Sequence, residues 1–146
     1  MAIRYKPLIR GMLLGIMLFT GLYGNIILHE AGHFIAAEHF NLQPKMYLFD
    51  NGTGTGFSFF NQNFYTTYNK PITQTAMIDF LIALAGPLAN LLLVSLLVFA
   101  YLKIPKTKQG LRLAILMLLI PSVISVISNL LPLAGTDGGM VWSYLR

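Results

Sequence analysis

The chain has no cysteine, which removes disulfides and thiolate ligands, so any metal ion would have to be held by nitrogen and oxygen donors. Acidic residues are almost as scarce: five Asp and Glu stand in 146 residues, and all charged residues together make up 10%. A soluble domain of this length carries more than twice that charge. Basic residues exceed acidic ones, giving a formal net charge of +5, but no basic stripe with interleaved aromatics appears, and nucleic acid is excluded as a partner on that ground. Internal repeats, low-complexity tracts and linkers long enough to separate domains are also missing, so residues 1–146 read as a single domain.

What is present is apolar. Hydrophobic residues account for 55% of the chain and the mean hydropathy is +0.66. Three stretches hold no charged residue, Gly11 to Leu28, Phe80 to Leu102 and Leu113 to Thr136. Each is long enough for a helix to cross a hydrocarbon core, which needs about 20 residues. The expected helices run from about Gly11 through the late thirties, from Ala76 to Leu102 with an interruption at Gly86-Pro87, and from Gly110 to Leu131 with Pro121 inside. A secretory signal is the alternative for the first stretch, since Arg4, Lys6 and Arg10 precede it, but the stretch exceeds a usual signal core and no small-residue cleavage site follows.

Between the first and second helices the composition changes. Met46 to Phe49, Phe57 to Phe60 and Phe64 to Tyr68 are aromatic-rich runs separated by Asp50 to Gly56 and by Asn61-Gln62-Asn63, the pattern of two or three short strands joined by turns. Gly52, Gly54 and Gly56 lack the spacing, lysine and following helix of a phosphate loop, and Asn51-Gly52-Thr53 is a glycosylation sequon. The expected fold is thus an all-α membrane protein, a three-helix transmembrane core with a short β-hairpin or sheet inserted between the first two helices. Arg4, Lys6, Arg10, Lys103, Lys106, Lys108 and Arg112 fall on one side of such a core, against Lys45, Lys70 and Arg146 on the other. That asymmetry predicts a cytoplasmic amino terminus.

The polar residues inside the apolar spans are few and patterned. His29-Glu30-Ala31-Gly32-His33 has the H-E-x-x-H spacing, which on a helix puts both imidazoles on one face and leaves the glutamate beside them. Two histidines so placed suit one zinc ion, with Glu30 free to act as a base. An ionisable cluster within a membrane span costs at least about 2.5 kcal/mol to insert and marks function. A catalytic zinc takes three protein ligands, so a third is sought among Glu38, His39, Asp50, Asp79 and Asp137. Asp137 is the strongest candidate, because Pro132, Gly135, Gly138 and Gly139 break the helix around it and allow irregular backbone to line a cavity. The competing reading is a solvated aspartate in an Asp-Gly turn. Glu38 and His39 fit an interfacial helix end, Asp79 fits a helix N-terminal charge, and Ser122, Ser125 and Ser128 fit a small-residue packing face.

Three segments in order resemble the site-2 protease family of intramembrane zinc metalloproteases. They are Ile26 to His33, similar to the family's apolar run into H-E-x-G-H; Ala85-Gly86-Pro87-Leu88-Ala89-Asn90, similar to its G-P-x-x-N element; and Asn129 to Gly139, similar to its N-x-x-P-x-x-x-x-D-G segment. The resemblance implies His29, His33 and Asp137 as Zn2+ ligands, Glu30 as general base, and Asn90 as a catalytic polar group near the substrate or oxyanion. It further implies hydrolysis of peptide bonds in or near the membrane-spanning segments of protein substrates within the lipid bilayer. Gly135-Thr136 departs from the proline and leucine usual before that aspartate. A non-catalytic binding or chaperone module that retains the metal site is the alternative, against which the intact Glu30 argues; a metal-ion carrier would want more carboxylates along a path. The oligomeric state is not legible in the sequence.

Overall fold

The computed structural model describes residues 5–50, 63–71, 74–133 and 136–146. The chain is mostly helical, in the order α1 (Tyr5–His39), β1 (Lys45–Asp50), β2 (Asn63–Thr67), α2 (Ala76–Lys103), α3 (Gln109–Leu130) and α4 (Asp137–Leu145). Three of the helices, α1, α2 and α3, are long and apolar enough to cross a membrane. At 1.5 Å per residue even the shortest, α3, reaches about 33 Å, the thickness of a hydrocarbon core.

The distribution of side chains inverts that of a water-soluble bundle. Leu13, Ile16, Leu96, Phe99, Ile124 and Ile127 point outward and are exposed, while Asn25, His29, His33, Asn90 and Ser122 are buried among the helices. Large apolar surface turned outward around a polar interior is stable when hydrocarbon is the solvent, because lipid does not penalise the leucines and the polar groups find partners only inside.

The three long helices pack against one another. Gly21 lies on the backbone of Met117 and Leu118, and Asn25 donates from Nδ2 to Ser122 Oγ at 2.8 Å, so α1 and α3 run side by side in the same direction. Gly32 meets Ala85 and Gly86, and His29 meets Asn90, so α2 runs opposite to both. The α1–α2 crossing is backbone against backbone: a Cβ on Gly32 would lie 2.5 Å from the Ala85 carbonyl oxygen. Small residues at a crossing replace the missing hydrophobic drive with close van der Waals contact.

The sheet is a two-stranded antiparallel pair, with Lys45 opposite Thr67, Met46 opposite Thr66 and Tyr47 opposite Tyr65. The expected strand at Phe57 to Phe60, the glycine-rich turn and the Asn51 sequon lie outside the described residues. The hairpin is tied to the bundle at the end of β2 and just beyond it. Thr66 Oγ1 donates to the Glu30 carbonyl at 3.0 Å, and beyond the strand Tyr68, Lys70 and Gln74 all converge on the Asp79 carboxylate. Burial and the neighbouring Asp79 charge push the Tyr68 hydroxyl pKa above its ordinary value.

Two expectations change. Helix α2 is not interrupted at Gly86-Pro87; it runs through the proline, which is itself fully buried against its neighbours. A membrane helix tolerates this because packing compensates the one lost hydrogen bond. The segment after α3 is not only broken backbone: it turns and starts α4, which packs on α2 and α3. Thr136 caps α4 by accepting from the Gly139 amide at 3.2 Å, and Trp142 Nε1 donates to the Leu130 carbonyl at 3.0 Å, satisfying the frayed end of α3. Gly138 admits this fold-back, since a Cβ there would collide with the carbonyl of Leu131.

Candidate metal centre

His29 and His33 sit one turn apart on the inward face of α1, and Asp137 opens α4 at the same level. Nε2 of His29 lies 2.7 Å from Asp137 Oδ2, Nε2 of His33 lies 3.2 Å from the same oxygen, and the two ring nitrogens are 3.1 Å apart. Three electron-pair donors from two helices, separated by 108 residues of sequence, therefore converge on one point.

The ring of His33 is oriented from behind: Nδ1 donates to the Ile82 carbonyl at 2.7 Å. That bond puts a proton on Nδ1 and turns Nε2 toward the Asp137 carboxylate. Such a donor set could hold a cation at its centre. Zinc held tetrahedrally at about 2.0–2.2 Å requires ligand atoms about 3.4 Å apart, so this triangle needs to widen by only a fraction of an ångström. His29, His33 and Asp137 form the group among the described residues that could hold a metal ion. Its chemistry, two imidazoles and one carboxylate with an open face, fits a catalytic zinc site.

Asp137 is suited to remain ionised. Burial alone would raise its pKa, but hydrogen bonds from His29 and then His33, with their charges, outweigh burial and lower it to about 2. The sign follows directly: a carboxylate with a depressed native pKa contributes stability that is complete above its ordinary value of 3.8 and is lost as pH falls toward 2. The position of Asp137 in the first turn of α4 adds the positive end of the helix dipole.

The open face is a cavity of about 280 Å³ bordered by the three donors and by Glu30, Tyr65, Thr66, Asn129 and Thr136. Glu30 is 9% exposed and lies outside the donor triangle, beside it on the cavity wall. Two residues of β2, Tyr65 and Thr66, line the same cavity. No family model, curated protein or solved structure matches the chain. The reading of the site therefore rests on its own geometry.

The other sequence candidates for a third ligand stand apart. Glu38 and His39 are exposed at the end of α1, with His39 against the Phe40 ring. Asp79 begins α2, as its spacing predicts, and is engaged by the hairpin. The Asp50 side chain lies outside the described residues. Asn90 does not border the cavity: it is fully buried behind His29, with Nδ2 3.5 Å from His29 Nδ1. The antiparallel course of α2 puts Gly86, not Asn90, against the donor nitrogens.

The sequence left the polar contacts of four residues unread: Asn25, Ser122, Ser125 and Asn129. Asn129 borders the cavity, with its Nδ2 held by the Ser125 carbonyl at 2.9 Å. Ser122 and Ser125 are not merely small: each takes a hydrogen bond from an asparagine of another helix, Asn25 and Asn90 respectively. Asn25 precedes His29 by one helical turn in an otherwise apolar run, and a lone amide at that spacing was a readable sign of an inward stripe.

Proposed function

We propose that the chain is an intramembrane zinc metalloprotease of the site-2 protease type, hydrolysing peptide bonds in or near membrane-spanning segments of protein substrates. The observation that carries this reading is the convergence of His29, His33 and Asp137 with Glu30 beside them on an open cavity, within a bundle whose outside is apolar.

When bound, zinc supplies a Lewis acid that polarises the scissile carbonyl and lowers the pKa of a water to about 7. Glu30 receives the proton of the attacking water and returns it to the departing amine, a role open to a carboxylate that is not a ligand. Asn129 presents an amide to the cavity, suited to hold the carbonyl of the bound peptide or the oxyanion that develops from it. A helical substrate must unwind before its peptide bond is reached. Strand β2, which among the described residues pairs only with β1, supports binding of an extended segment along its other edge, next to Glu30.

The test is cleavage of a membrane-spanning peptide by the purified chain in liposomes, expected to stop with a chelator and return with zinc. Asp137→Ala is expected to lose both activity and bound zinc after dialysis against a weak chelator, whereas Glu38→Ala keeps one zinc per chain. Full occupancy in Asp137→Ala would remove the aspartate from the site. Zinc binding in the wild type without cleavage of any membrane peptide would favour the binding-module alternative.

The orientation proposed from the lysine and arginine asymmetry has the hairpin and α4 on the side away from the cytoplasm. The chain has no native cysteine, so single replacements can be labelled without background. Asn69→Cys, beyond β2, is expected to react with an impermeant maleimide from outside intact cells, and Lys106→Cys, between α2 and α3, only after lysis. The reverse pattern would invert the topology.

A further inference from the structure

Behind His29 lies a chain of polar groups that crosses all three long helices. Asn90 of α2 is wholly buried; its Nδ2 donates to Ser125 Oγ of α3 at 2.7 Å and lies 3.5 Å from His29 Nδ1 of α1. Ser125 Oγ is in turn 3.4 Å from the amide of Asn129, which borders the cavity. The remaining Asn90 atom, Oδ1, is buried with no hydrogen-bond partner. An unpaired amide oxygen in a membrane interior is costly, and its place beside a candidate metal ligand calls for an explanation.

The tautomers of His29 bear on which end of this amide faces the ring. As the side chains stand, Nε2–H of His29 donates to Asp137 Oδ2, and Nδ1 carries a lone pair facing the Asn90 amino group. When Nε2 gives its lone pair to a cation instead, the proton resides on Nδ1 and needs an acceptor. Metal-bound histidines nearly always find one, commonly a carboxylate or carbonyl. His33 has the Ile82 carbonyl for this purpose, whereas the polar side chain within reach of His29 Nδ1 is Asn90. An amide has the same shape in both orientations, donor at one end and acceptor at the other. By turning over, Asn90 can serve either tautomer, and Ser125, whose hydroxyl both donates and accepts, stays bonded to it in both.

Resting on the zinc reading above, we infer that Asn90 is a positioning residue that selects the metal-binding tautomer of His29, with Ser125 as its support, rather than a group that touches substrate. Because Ser125 also neighbours Asn129, the same chain of contacts ties the back of a metal ligand to the amide on the cavity wall.

The experiment is a competition titration with a chelating dye on apo-protein in detergent, with a thermal melt of each variant to report folding. Asn90→Leu, close in volume but unable to accept, is expected to fold and to bind zinc 10- to 100-fold more weakly. Asn90→Asp, a fixed acceptor, is expected to stay within about threefold of wild type, and Ser125→Ala to fall between them. Ring 15N spectra of the zinc-loaded wild type should show His29 protonated on Nδ1 in a hydrogen bond that Asn90→Leu lacks. A residue that only packs would give the opposite order, with leucine tolerated in an apolar interior and a buried aspartate destabilising. Wild-type affinity in Asn90→Leu overturns the inference. If Asn90→Leu does not fold, an Asn90→Asp variant that folds yet binds zinc more than 10-fold more weakly overturns it equally. Failure of the wild type to bind zinc is a separate result, which removes the underlying reading together with this one.

Discussion

Glu30→Gln is expected to retain one zinc per chain and to lose peptide cleavage by at least about 100-fold, and up to about 10,000-fold, the range that a positioned general base contributes. The substitution is nearly isosteric, and Glu30 lies beside the triangle formed by His29, His33 and Asp137 and not within it. Removing its charge therefore leaves the ligands in place. The Glu30 carbonyl, which accepts from Thr66 Oγ1, belongs to the backbone and is untouched, so the hairpin stays docked. The measurement pairs metal content with single-turnover cleavage on the same preparation. Cleavage near the wild-type rate would exclude Glu30 as the base; loss of zinc along with activity would make it a ligand or a structural member of the site.

Gly86→Ala should place a damaging methyl group directly against the donor histidines. A Cβ at that position would stand 2.5 Å from His33 Nε2, 2.6 Å from His33 Cε1 and 2.8 Å from His29 Cε1. The imidazole of His33 cannot simply swing aside, because Nδ1 is held by the Ile82 carbonyl one turn earlier on the same helix. Either the rings leave their common point or α1 and α2 separate where Gly32 already rests on Ala85. Zinc affinity is expected to fall by about 100-fold or more, beyond the loss typical of removing a group that only supports a ligand. The thermal midpoint should fall with it, as overpacking costs about 1–3 kcal/mol. Gly24→Ala is the control: on the same bundle a Cβ at Gly24 meets nothing, so affinity should be unchanged. Wild-type zinc affinity in Gly86→Ala would mean that the close approach of α2 to the histidines is not part of the site.

Both expectations depend on contacts between helices, and the sequence made those visible only in part. The spans were legible because hydrocarbon imposes a length and forbids charge: the uncharged stretches from Gly11, Phe80 and Leu113 fall on α1, α2 and α3, although α1 extends from Tyr5 to His39, well beyond its stretch at both ends. His29 and His33 were legible because a separation of four residues on any helix puts them on one face. The flanking strands at Lys45–Asp50 and Asn63–Thr67 followed from aromatic runs bounded by turn residues. Asp137 could be ranked above Glu38 and Asp79 by the broken backbone around it, but ranking is not contact.

The approach of Asp137 to within 2.7 Å of His29 was decided by tertiary structure, since it requires α3 to run beside α1, turn at Pro132 and cap a fourth helix at Thr136. That helix escaped the sequence reading because nine residues carry too short a periodic signal to separate from a loop. The same holds for Asn90, whose helical address was plain while its neighbours were not. Helical periodicity fixes the direction of a side chain about its own axis, but the partner it meets depends on the rotation and depth of two other helices. Those are set by the fit of Gly21, Gly32 and Gly86 against facing backbone, a property of surfaces and not of any one segment. The sequence by itself thus determined three apolar helices, a paired-histidine face and a free glutamate; only their packing decided which oxygen completes the donor triangle and which amide stands behind it.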